Sequence, residues 1–225
     1  MNKETYLEKR RQASAVLCNR TYCSRCRKPL KTCYCAQINS FTSSVHFVIL
    51  IHPAEVKRSV ASGRMTHLCL SNSMLIEGLD FSANAQVDAL IQDPFNFCVL
   101  LFPDQDAVNL SAFDKAQRQD FVPQDKRLLV FVLDGTWDNA KSMKRLSSNL
   151  RDLPRICFEP PQASEFREVR KQPHAQCFST IEAVHHLIQL FDHDSIEPAE
   201  TMLAAFRFMV NQQVAFAENN LILTR

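Results

Sequence analysis

An aspartate that follows an apolar run is the first candidate for chemistry. Residues 128–143 have the sequence LLVFVLDGTWDNAKSM, in which the apolar run ends at Asp134-Gly135-Thr136-Trp137. A helical pattern begins directly afterwards, so we predict a buried strand, a tight turn and a helix. Ligands of open α/β sheets bind beyond the carboxyl ends of the strands. We therefore expect a ligand site at this turn, with the Asp134 carboxylate facing it.

Two further turns are predicted in equivalent positions. Leu101-Phe102-Pro103 ends another apolar strand, and Ser179-Thr180-Ile181-Glu182 opens an apolar-periodic helix with the Ser-x-x-Glu pattern of a capping box. Unpaired N–H groups at a helix N-terminus bind polar ligand groups, although many purely structural helices carry the same box. If the three turns converge, their pocket has apolar walls, backbone donors and acceptors, and one carboxylate. Such a pocket suits a nucleoside-bearing ligand that is not a triphosphate.

Four cysteines near the N-terminus have the spacing of a metal site. Cys23 and Cys26 form a Cys-x2-Cys pair, and Cys33 and Cys35 form a Cys-x-Cys pair shortly after it. Zinc prefers four thiolates in structural sites. The alternative is four reduced core cysteines, but those are expected within apolar strands, and this stretch is basic and polar. The spacing therefore predicts a structural zinc site. The cysteines at positions 69, 98, 157 and 177 lie in apolar runs and are predicted to be core residues.

Histidines and one irregular segment are weaker candidates. His52 directly follows a predicted strand and is a site candidate, with a strand-capping role as the alternative. His185-His186 lies inside a predicted helix, where surface or core positions are more typical than metal ligation. Residues 159–177 contain three prolines and show no clean period. Long irregular segments of compact domains are usually functional, so we predict a functional loop here; a plain surface connection is the alternative.

Composition and missing motifs exclude several classes of protein. The net charge of the 225 residues is only +2, so any nucleic-acid surface has to be a local patch. The sequence contains no GxGxxG dinucleotide fingerprint, no P-loop and no Gly-x-Ser-x-Gly elbow. We see no apolar leader and no apolar run of bilayer length, so we expect a cytoplasmic protein without a membrane partner.

The elements that position these residues alternate between strands and helices. Strands are predicted at residues 45–51, 97–102, 128–133 and 155–158. Helices are predicted at residues 4–20, at 55–70 with an interruption at Ser62-Gly63, at 85–92, after Trp137, after Ser179, and at 198–217. This alternation is typical of an α/β fold with a mostly parallel sheet and helices on both faces. We expect an N-terminal helix and zinc knuckle in residues 1–40 and a catalytic domain in residues 41–225.

The motifs, taken in order, resemble those of the DTW-domain family. The most specific match is Asp134-Gly-Thr-Trp137 followed by Ala140 and Met143, together with the four-cysteine knuckle. The other matches are His52-Pro53-x-Glu55, Ser62-Gly63-Arg64, Leu70-x-Asn72-Ser73, Gly78-x-Asp80-Phe81, Leu101-Phe102-Pro103, Leu153-Pro154 and Ser179-Thr180-x-Glu182-Ala183. One departure is Ala61-Ser62, where many relatives have Asn-Thr. The resemblance covers most of the chain.

The resemblance implies a fold, an activity and two bound groups. Bacterial members of the family are tRNA-uridine aminocarboxypropyltransferases, and the family is similar to the SPOUT superfamily of S-adenosylmethionine enzymes. A deep trefoil knot at the cofactor site is therefore implied. The three turns would hold S-adenosylmethionine through Leu101, Phe102, Pro103, Gly135, Thr136, Trp137, Ser179, Thr180 and Glu182. The cysteines would hold structural zinc.

The implied reaction transfers the 3-amino-3-carboxypropyl group of S-adenosylmethionine to N3 of a uridine in tRNA and releases methylthioadenosine. Positioning is the main catalytic contribution in such a transfer. We expect Asp134 to accept or polarise the N3 proton, or else only to orient its own turn. Candidate tRNA contacts are His52, Arg58, Arg64, Arg170 and Lys171, with surface solvation as the alternative for the charged side chains.

Two other functions remain open from the sequence. One is an RNA methyltransferase on the same fold, which attacks the methyl carbon of the same cofactor. The other is a zinc-knuckle RNA-binding protein without catalysis. The tRNA species, the uridine position and the oligomeric state, monomer or homodimer, are also open.

Overall fold

The computed structural model describes residues 21–56, 62–160, 164 and 178–223, with side chains up to residue 215. The chain divides into two compact units, Met1–Ala36 and Gln37–Arg225. The predicted helix at residues 4–20 lies outside the described residues. No helix of the described part is long and apolar enough to cross a membrane.

The first unit, as far as it is described, is a small knuckle without regular strands. Its backbone doubles back where Cys23 N–H donates to the Lys28 carbonyl and Arg27 N–H donates to the Cys23 carbonyl, both at 2.8 Å. Arg27 has φ of 58°, the left-handed conformation that closes this turn. A short 3-10 helix, Leu30–Thr32, and a second one, Cys35–Gln37, carry the chain through the second cysteine pair.

The second unit is built on one parallel sheet. Its strands in the described residues are β1 (His46–Ile51), β2 (Met74–Glu77), β3 (Asn96–Leu101), β4 (Val108–Asn109), β5 (Arg127–Asp134) and β6 (Arg155–Cys157). They are arranged in the order β2-β1-β5-β3-β6-β4, and each neighbouring pair is parallel. The central strands β1, β5 and β3 are apolar runs that are buried on both faces, which is typical of parallel sheets.

Helices connect the strands. They are α1 (Pro53–Val56), α2 (Gly63–Cys69), α3 (Ala85–Gln92), α4 (Lys115–Phe121), α5 (Trp137–Leu146), α6 (Ser148–Arg151), α7 (Thr180–Phe191) and α8 (Ile196–Leu223). Short 3-10 helices at Leu110–Ala112 and His193–Ser195 complete the described elements. The sequence had predicted α3, α5 and α7 and the position of α8.

The two faces of the sheet are covered by different helices. Alternate side chains of β1, β3 and β5 form a core with α3, α5 and α6, in which Leu50, Leu100 and Phe131 are fully buried. The intervening side chains, such as Ile49 and Val130, point to the other face, where α2 contacts β1 and α7 contacts β5. The predicted α/β class, with a parallel sheet and helices on both faces, is therefore confirmed.

The predicted break in the helical stretch 55–70 is confirmed, whereas several short elements were missed. Ser62 is the N-cap of α2, which begins at Gly63, and residues 57–61 lie outside the described part. The sequence reasoning missed β2, β4, α4 and α6. Met74–Glu77 and Val108–Asn109 are short edge strands with partly exposed faces, so they lack a long apolar run. Helix α4 has no buried residue and hence no strong apolar period.

Candidate active site and metal centre

The ends of three neighbouring strands meet at one edge of the sheet. Asp134, the last residue of β5, lies in register with Ile51 of β1, and Leu101 of β3 lies in register with Val132. His52 therefore follows β1 directly beside Asp134, and its N–H donates to the Asp134 carbonyl at 2.9 Å. The parallel order of the strands thus brings the Asp134 turn and the Phe102 turn to the same edge, as predicted.

The Asp134 carboxylate is buried and held from the start of α7. Asp134 is only 5% exposed. Thr180, the first residue of α7, donates its hydroxyl to Asp134 Oδ1 at 2.5 Å. The carboxylate therefore lies next to the N-terminus of α7, at the positive end of the helix dipole. The contact joins the Asp134 turn to the turn at Ser179-Thr180 through the Asp134 and Thr180 side chains.

A glycine closes the other side of the carboxylate. Gly63, the first residue of α2, comes so close that an added Cβ would lie 2.4 Å from Asp134 Oδ2 and 2.6 Å from its Cγ. No glycine in the described part has positive φ, so close approach rather than backbone conformation makes a side chain unacceptable here. The sequence marked Ser62-Gly63-Arg64 only as a family motif. Its direct contact with Asp134 was not predicted.

The turn after Asp134 is fixed by its own helix. Thr136 is the N-cap of α5, and its hydroxyl accepts a hydrogen bond from Asn139 N–H at 3.1 Å. Gly135 packs near His52, with 3.6 Å between the position of an added Cβ and the His52 Cβ. The ring of Trp137 meets the ring of Phe102 edge to face, with 6.1 Å between centroids. Trp137 and Phe102 thus form one aromatic wall from two turns.

An ionic cluster fixes the Phe102 turn. The Lys144 ammonium lies 4.3 Å from the centroid of the Phe102 ring and also pairs with Asp104. Arg155 of β6 approaches the same carboxylate at 3.5 Å. The hydrogen bond from Lys144 holds the pKa of Asp104 below its usual range. These partners lie far apart in the sequence, and no local pattern had indicated them. Of the predicted turn residues, Phe102 is buried, Leu101 is half-buried and Pro103 is exposed.

Glu182 is engaged inside its own helix cap. Its Oε2 accepts hydrogen bonds from Ser179 N–H at 2.8 Å, from Ser179 Oγ at 2.6 Å and from Ser164 Oγ at 2.7 Å. The predicted capping box is confirmed. Glu182 therefore ties Ser164, within the predicted functional loop, to the first turn of α7. A direct contact of Glu182 with a cofactor stays a prediction.

The predicted tRNA contacts are only partly visible. His52 and Arg64 both lie at the edge that holds Asp134, because His52 follows β1 and Arg64 follows Gly63. His52 Nδ1 accepts a hydrogen bond from Ala54 N–H at 3.1 Å, so the neutral ring carries its proton on Nε2. Arg58, Arg170 and Lys171 lie outside the described residues.

The four cysteines of the knuckle meet as a candidate metal centre. Their Sγ atoms all lie within 4.8 Å of one another. The Sγ atoms of Cys23 and Cys35 are 3.7 Å apart, and those of Cys26 and Cys33 are 3.6 Å apart. Tetrahedral zinc with sulfur ligands at about 2.3 Å requires sulfur–sulfur separations of about 3.8 Å. The donor type, number and spacing therefore fit zinc, and all four ligand positions are taken by protein.

Backbone groups also prepare one thiol for metal binding. The N–H groups of Cys26 and Arg25 lower the pKa of the Cys23 thiol to about 6, whereas burial raises the pKa of Cys26. A thiolate is the form that binds a metal. Outside the knuckle, Cys69 and Cys98 are buried as predicted, whereas Cys157 on the short strand β6 is only partly buried, and Cys177 lies outside the described residues. His185 is also a buried core residue, with its Nε2 2.9 Å from Glu200.

Comparison with known proteins identifies the family. A family model described as the DTW domain matches residues 20–214, a range that includes the four cysteines, the Asp134 turn and the start of α7. The chain belongs to the DTW domain family. The resemblance seen in the sequence motifs is therefore confirmed.

Three curated relatives of this DTW protein are named as tRNA-uridine aminocarboxypropyltransferases. The chain is 27% identical over 180 residues to tRNA-uridine aminocarboxypropyltransferase 2 of Drosophila melanogaster, covering 77% of this chain and 67% of the relative. It is 23% identical over 213 residues to the protein of the same name in Macaca fascicularis, covering 90% and 69%. It is 24% identical over 216 residues to tRNA-uridine aminocarboxypropyltransferase A of Arabidopsis thaliana, covering 86% and 81%. No solved structure shows significant similarity to this DTW chain.

Proposed function

We propose that this DTW protein transfers the 3-amino-3-carboxypropyl group from S-adenosylmethionine to N3 of a uridine in tRNA. The observation that carries the proposal is the placement of Asp134 in a DTW-family chain. Its buried carboxylate is held by Thr180 and abutted by Gly63, at the edge of the sheet where ligands of α/β folds bind. The relatives are named for this activity.

The three turns fit the donor molecule. Bound S-adenosylmethionine supplies an electrophilic γ-carbon, whose bond to the sulfonium sulfur breaks as its bond to uridine N3 forms, with methylthioadenosine leaving. Phe102 and Trp137 offer an aromatic wall for an adenine ring. Gly135 has no side chain that would cover its own backbone N–H and C=O groups. The start of α7 adds N–H groups for polar parts of the donor.

Asp134 orients the uridine and takes up the N3 proton. A carboxylate can take this role, because uridine N3 is protonated at neutral pH and donates a hydrogen bond that a carboxylate accepts. The Thr180 hydroxyl donates a hydrogen bond to Asp134 Oδ1, so the carboxylate is already oriented before the substrate binds. His52 and Arg64 at the same edge are in position to contact the tRNA beside the target nucleotide.

Zinc has a structural role in this proposal. The four cysteines fill a tetrahedral set, so no ligand position stays open for a substrate. We infer that the N-terminal part, residues 1–40, contains the zinc knuckle and that residues 41–225 form the catalytic domain. We also infer a SPOUT-like trefoil knot in that domain. The all-parallel sheet and the contact between Asp134 and Thr180 support this inference.

The position of an isotope label in S-adenosylmethionine shows which group of the donor is transferred to tRNA. The purified protein is incubated with unmodified tRNA and with donor labelled either in the carboxyl carbon or in the methyl group. Aminocarboxypropyl transfer places only the carboxyl label in tRNA, whereas methyl transfer places only the methyl label there. Label from neither donor, with no calorimetric binding of S-adenosylmethionine, indicates a non-catalytic RNA-binding protein. Nucleoside analysis of bulk tRNA from cells with and without the protein identifies the modified uridine.

An isosteric variant tests the role of Asp134. Asp134→Asn keeps the size of the side chain and removes its capacity to accept a proton. General acid–base catalysis typically contributes about 10²–10⁴-fold to a rate. We expect the rate of transfer to fall by at least about 100-fold with donor binding retained. Full activity of this variant refutes the assignment of Asp134 as the proton acceptor.

A further inference from the structure

A basic cleft lies at the edge of the sheet opposite the Asp134 turn. It has a volume of about 400 Å³ and is formed where β1 and β5 begin, beside α4 and the end of α7. Its lining includes four cations and one histidine, namely Lys115, Arg118, Lys126, Arg127 and His193. Among the described residues that line it there is no acidic side chain. The proposed reaction uses none of these groups.

The two arginines of the cleft are held in place. Arg127 donates to Asn96 Oδ1 at 2.5 Å and to Asp93 Oδ2 at 2.8 Å. Its side chain is still 47% exposed, so part of the guanidinium faces solvent. Asp93 offsets one charge at the rim of the cleft. Arg118 donates to backbone carbonyl groups ahead of α4, which neutralise no charge. Fixed guanidinium groups bind phosphate with little loss of side-chain entropy.

The two lysines are exposed at the mouth, above an apolar floor. Lys115 and Lys126 both lie on the surface. The floor is formed in part by Val45 and Leu128, which are buried, and by Phe191. Low-dielectric walls strengthen the attraction between the cations and a bound anion. The cleft therefore combines two arginines that are held by hydrogen bonds with two exposed lysines, above an apolar floor whose described side chains offer these cations no hydrogen-bond acceptor.

We propose that this cleft binds phosphates of the tRNA sugar–phosphate backbone, as a second contact remote from the reacting uridine. The inference rests on the proposed function, which supplies an RNA substrate. Arg127 and Asp134 are the first and last residues of β5, so the two sites are about 23 Å apart at roughly 3.3 Å per residue. A folded tRNA is large enough to span that distance. The cations come from separate segments and line an open cleft, which suits a chain of phosphates better than one small anion.

Charge removal at the two exposed lysines tests the cleft. In Lys115→Gln/Lys126→Gln, two phosphate contacts are lost while the arginine hydrogen bonds remain. Each contact contributes about 0.7–0.9 to the slope of log affinity against log salt concentration. We expect the slope, which is negative, to become shallower by about 1.5. We also expect tRNA affinity to fall about tenfold at physiological salt. The rate at saturating tRNA and the affinity for S-adenosylmethionine should stay unchanged.

A matched variant controls for net charge. Lys141→Gln/Arg145→Gln removes two exposed charges from α5, away from the cleft. A loss of tRNA affinity in the cleft variant no larger than in this control overturns the proposal. Saturation of the cleft by micromolar inorganic phosphate without competition from tRNA also overturns it, because the cleft would then be a small-anion site. Thermal unfolding of both variants confirms that they are folded.

The two hypotheses fail in different ways. If the wild-type chain binds tRNA through the cleft and transfers no label, the proposed reaction is wrong and the cleft assignment stands. If the wild-type chain transfers the carboxyl label and the cleft variant binds tRNA as well as the control does, only the cleft assignment is wrong.

Discussion

Replacing Gly63 with alanine tests whether catalysis depends on the present position of the Asp134 carboxylate. The added Cβ would lie 2.4 Å from Asp134 Oδ2 and 3.0 Å from its Cβ. Non-bonded contacts are optimal at roughly 3.5 Å, so α2 or the carboxylate has to move by about 1 Å. Thr180 holds Oδ1 from the other side. The carboxylate can give way only by weakening that hydrogen bond.

Two opposing terms determine the stability of Gly63→Ala. Overpacking a close-packed site costs about 1–3 kcal/mol. Alanine is favoured over glycine in a helix interior by about 1 kcal/mol, and by less at the first residue of a helix. We therefore expect the free energy of unfolding to fall by no more than about 3 kcal/mol. A displacement of about 1 Å in a catalytic group can cost about 100-fold in rate, so activity should fall far more than stability.

The assay compares two glycine variants with similar overpacking. In Gly78→Ala the added Cβ would lie 2.8 Å from Cε1 of the core side chain Phe81, and its three nearest atoms all belong to Phe81 rather than to Asp134. Its transfer rate per folded molecule should match the wild type, although its stability falls. Single-turnover transfer of the carboxyl label gives the rate, and urea unfolding gives the stability. A Gly63→Ala protein that keeps the wild-type rate refutes the requirement for the present carboxylate position.

Three further predictions follow from named contacts. Thr180→Val removes the hydroxyl that donates to Asp134 and should lower the transfer rate about tenfold or more, whereas Thr201→Val, whose hydroxyl donates to the Pro198 carbonyl, should not. Cys26→Ser should abolish zinc binding measured by elemental analysis, and retained stoichiometric zinc contradicts the site. Burial lowers the pKa of His185 from 6.5, so the unfolded chain binds more protons and stability should fall as the pH falls below 6.5. Urea unfolding at pH 7.5 and 5.5 measures this loss, which should be smaller in His185→Gln.

The central strands of the fold were predictable because each is specified by a short continuous stretch of the sequence. β1, β3 and β5 are uninterrupted apolar runs that end in turn residues, and such runs specify buried parallel strands without information from elsewhere in the chain. The Asp134 turn was found for the same reason, since strand, turn and helix cap are consecutive. Edge strands such as Val108–Asn109 have no such signal, because their identity depends on pairing with β6.

The contacts that shape the site were not predictable from local pattern. Gly63 and Asp134 lie far apart in the sequence. They meet because β1 lies beside β5 in the sheet, which brings α2 against the end of β5. The pairing of Lys144 with Asp104, which fixes Phe102, depends in the same way on β3 and β5 being neighbours, because Lys144 lies on the helix after β5 and Asp104 follows β3. A glycine that is required by a distant carboxylate looks like any other glycine in the sequence.

The first turn of α7 connects two parts of the proposed site. Thr180 holds the Asp134 carboxylate, and two residues later Glu182 holds Ser164 and closes the helix cap through Ser179. A change that disturbs this helix start therefore acts on the Asp134 turn and on the attachment of Ser164 together. Glu182, predicted as a cofactor contact from its motif, stabilises the helix start that aims the carboxylate. Its effect on catalysis would then be exerted through Thr180 and Asp134.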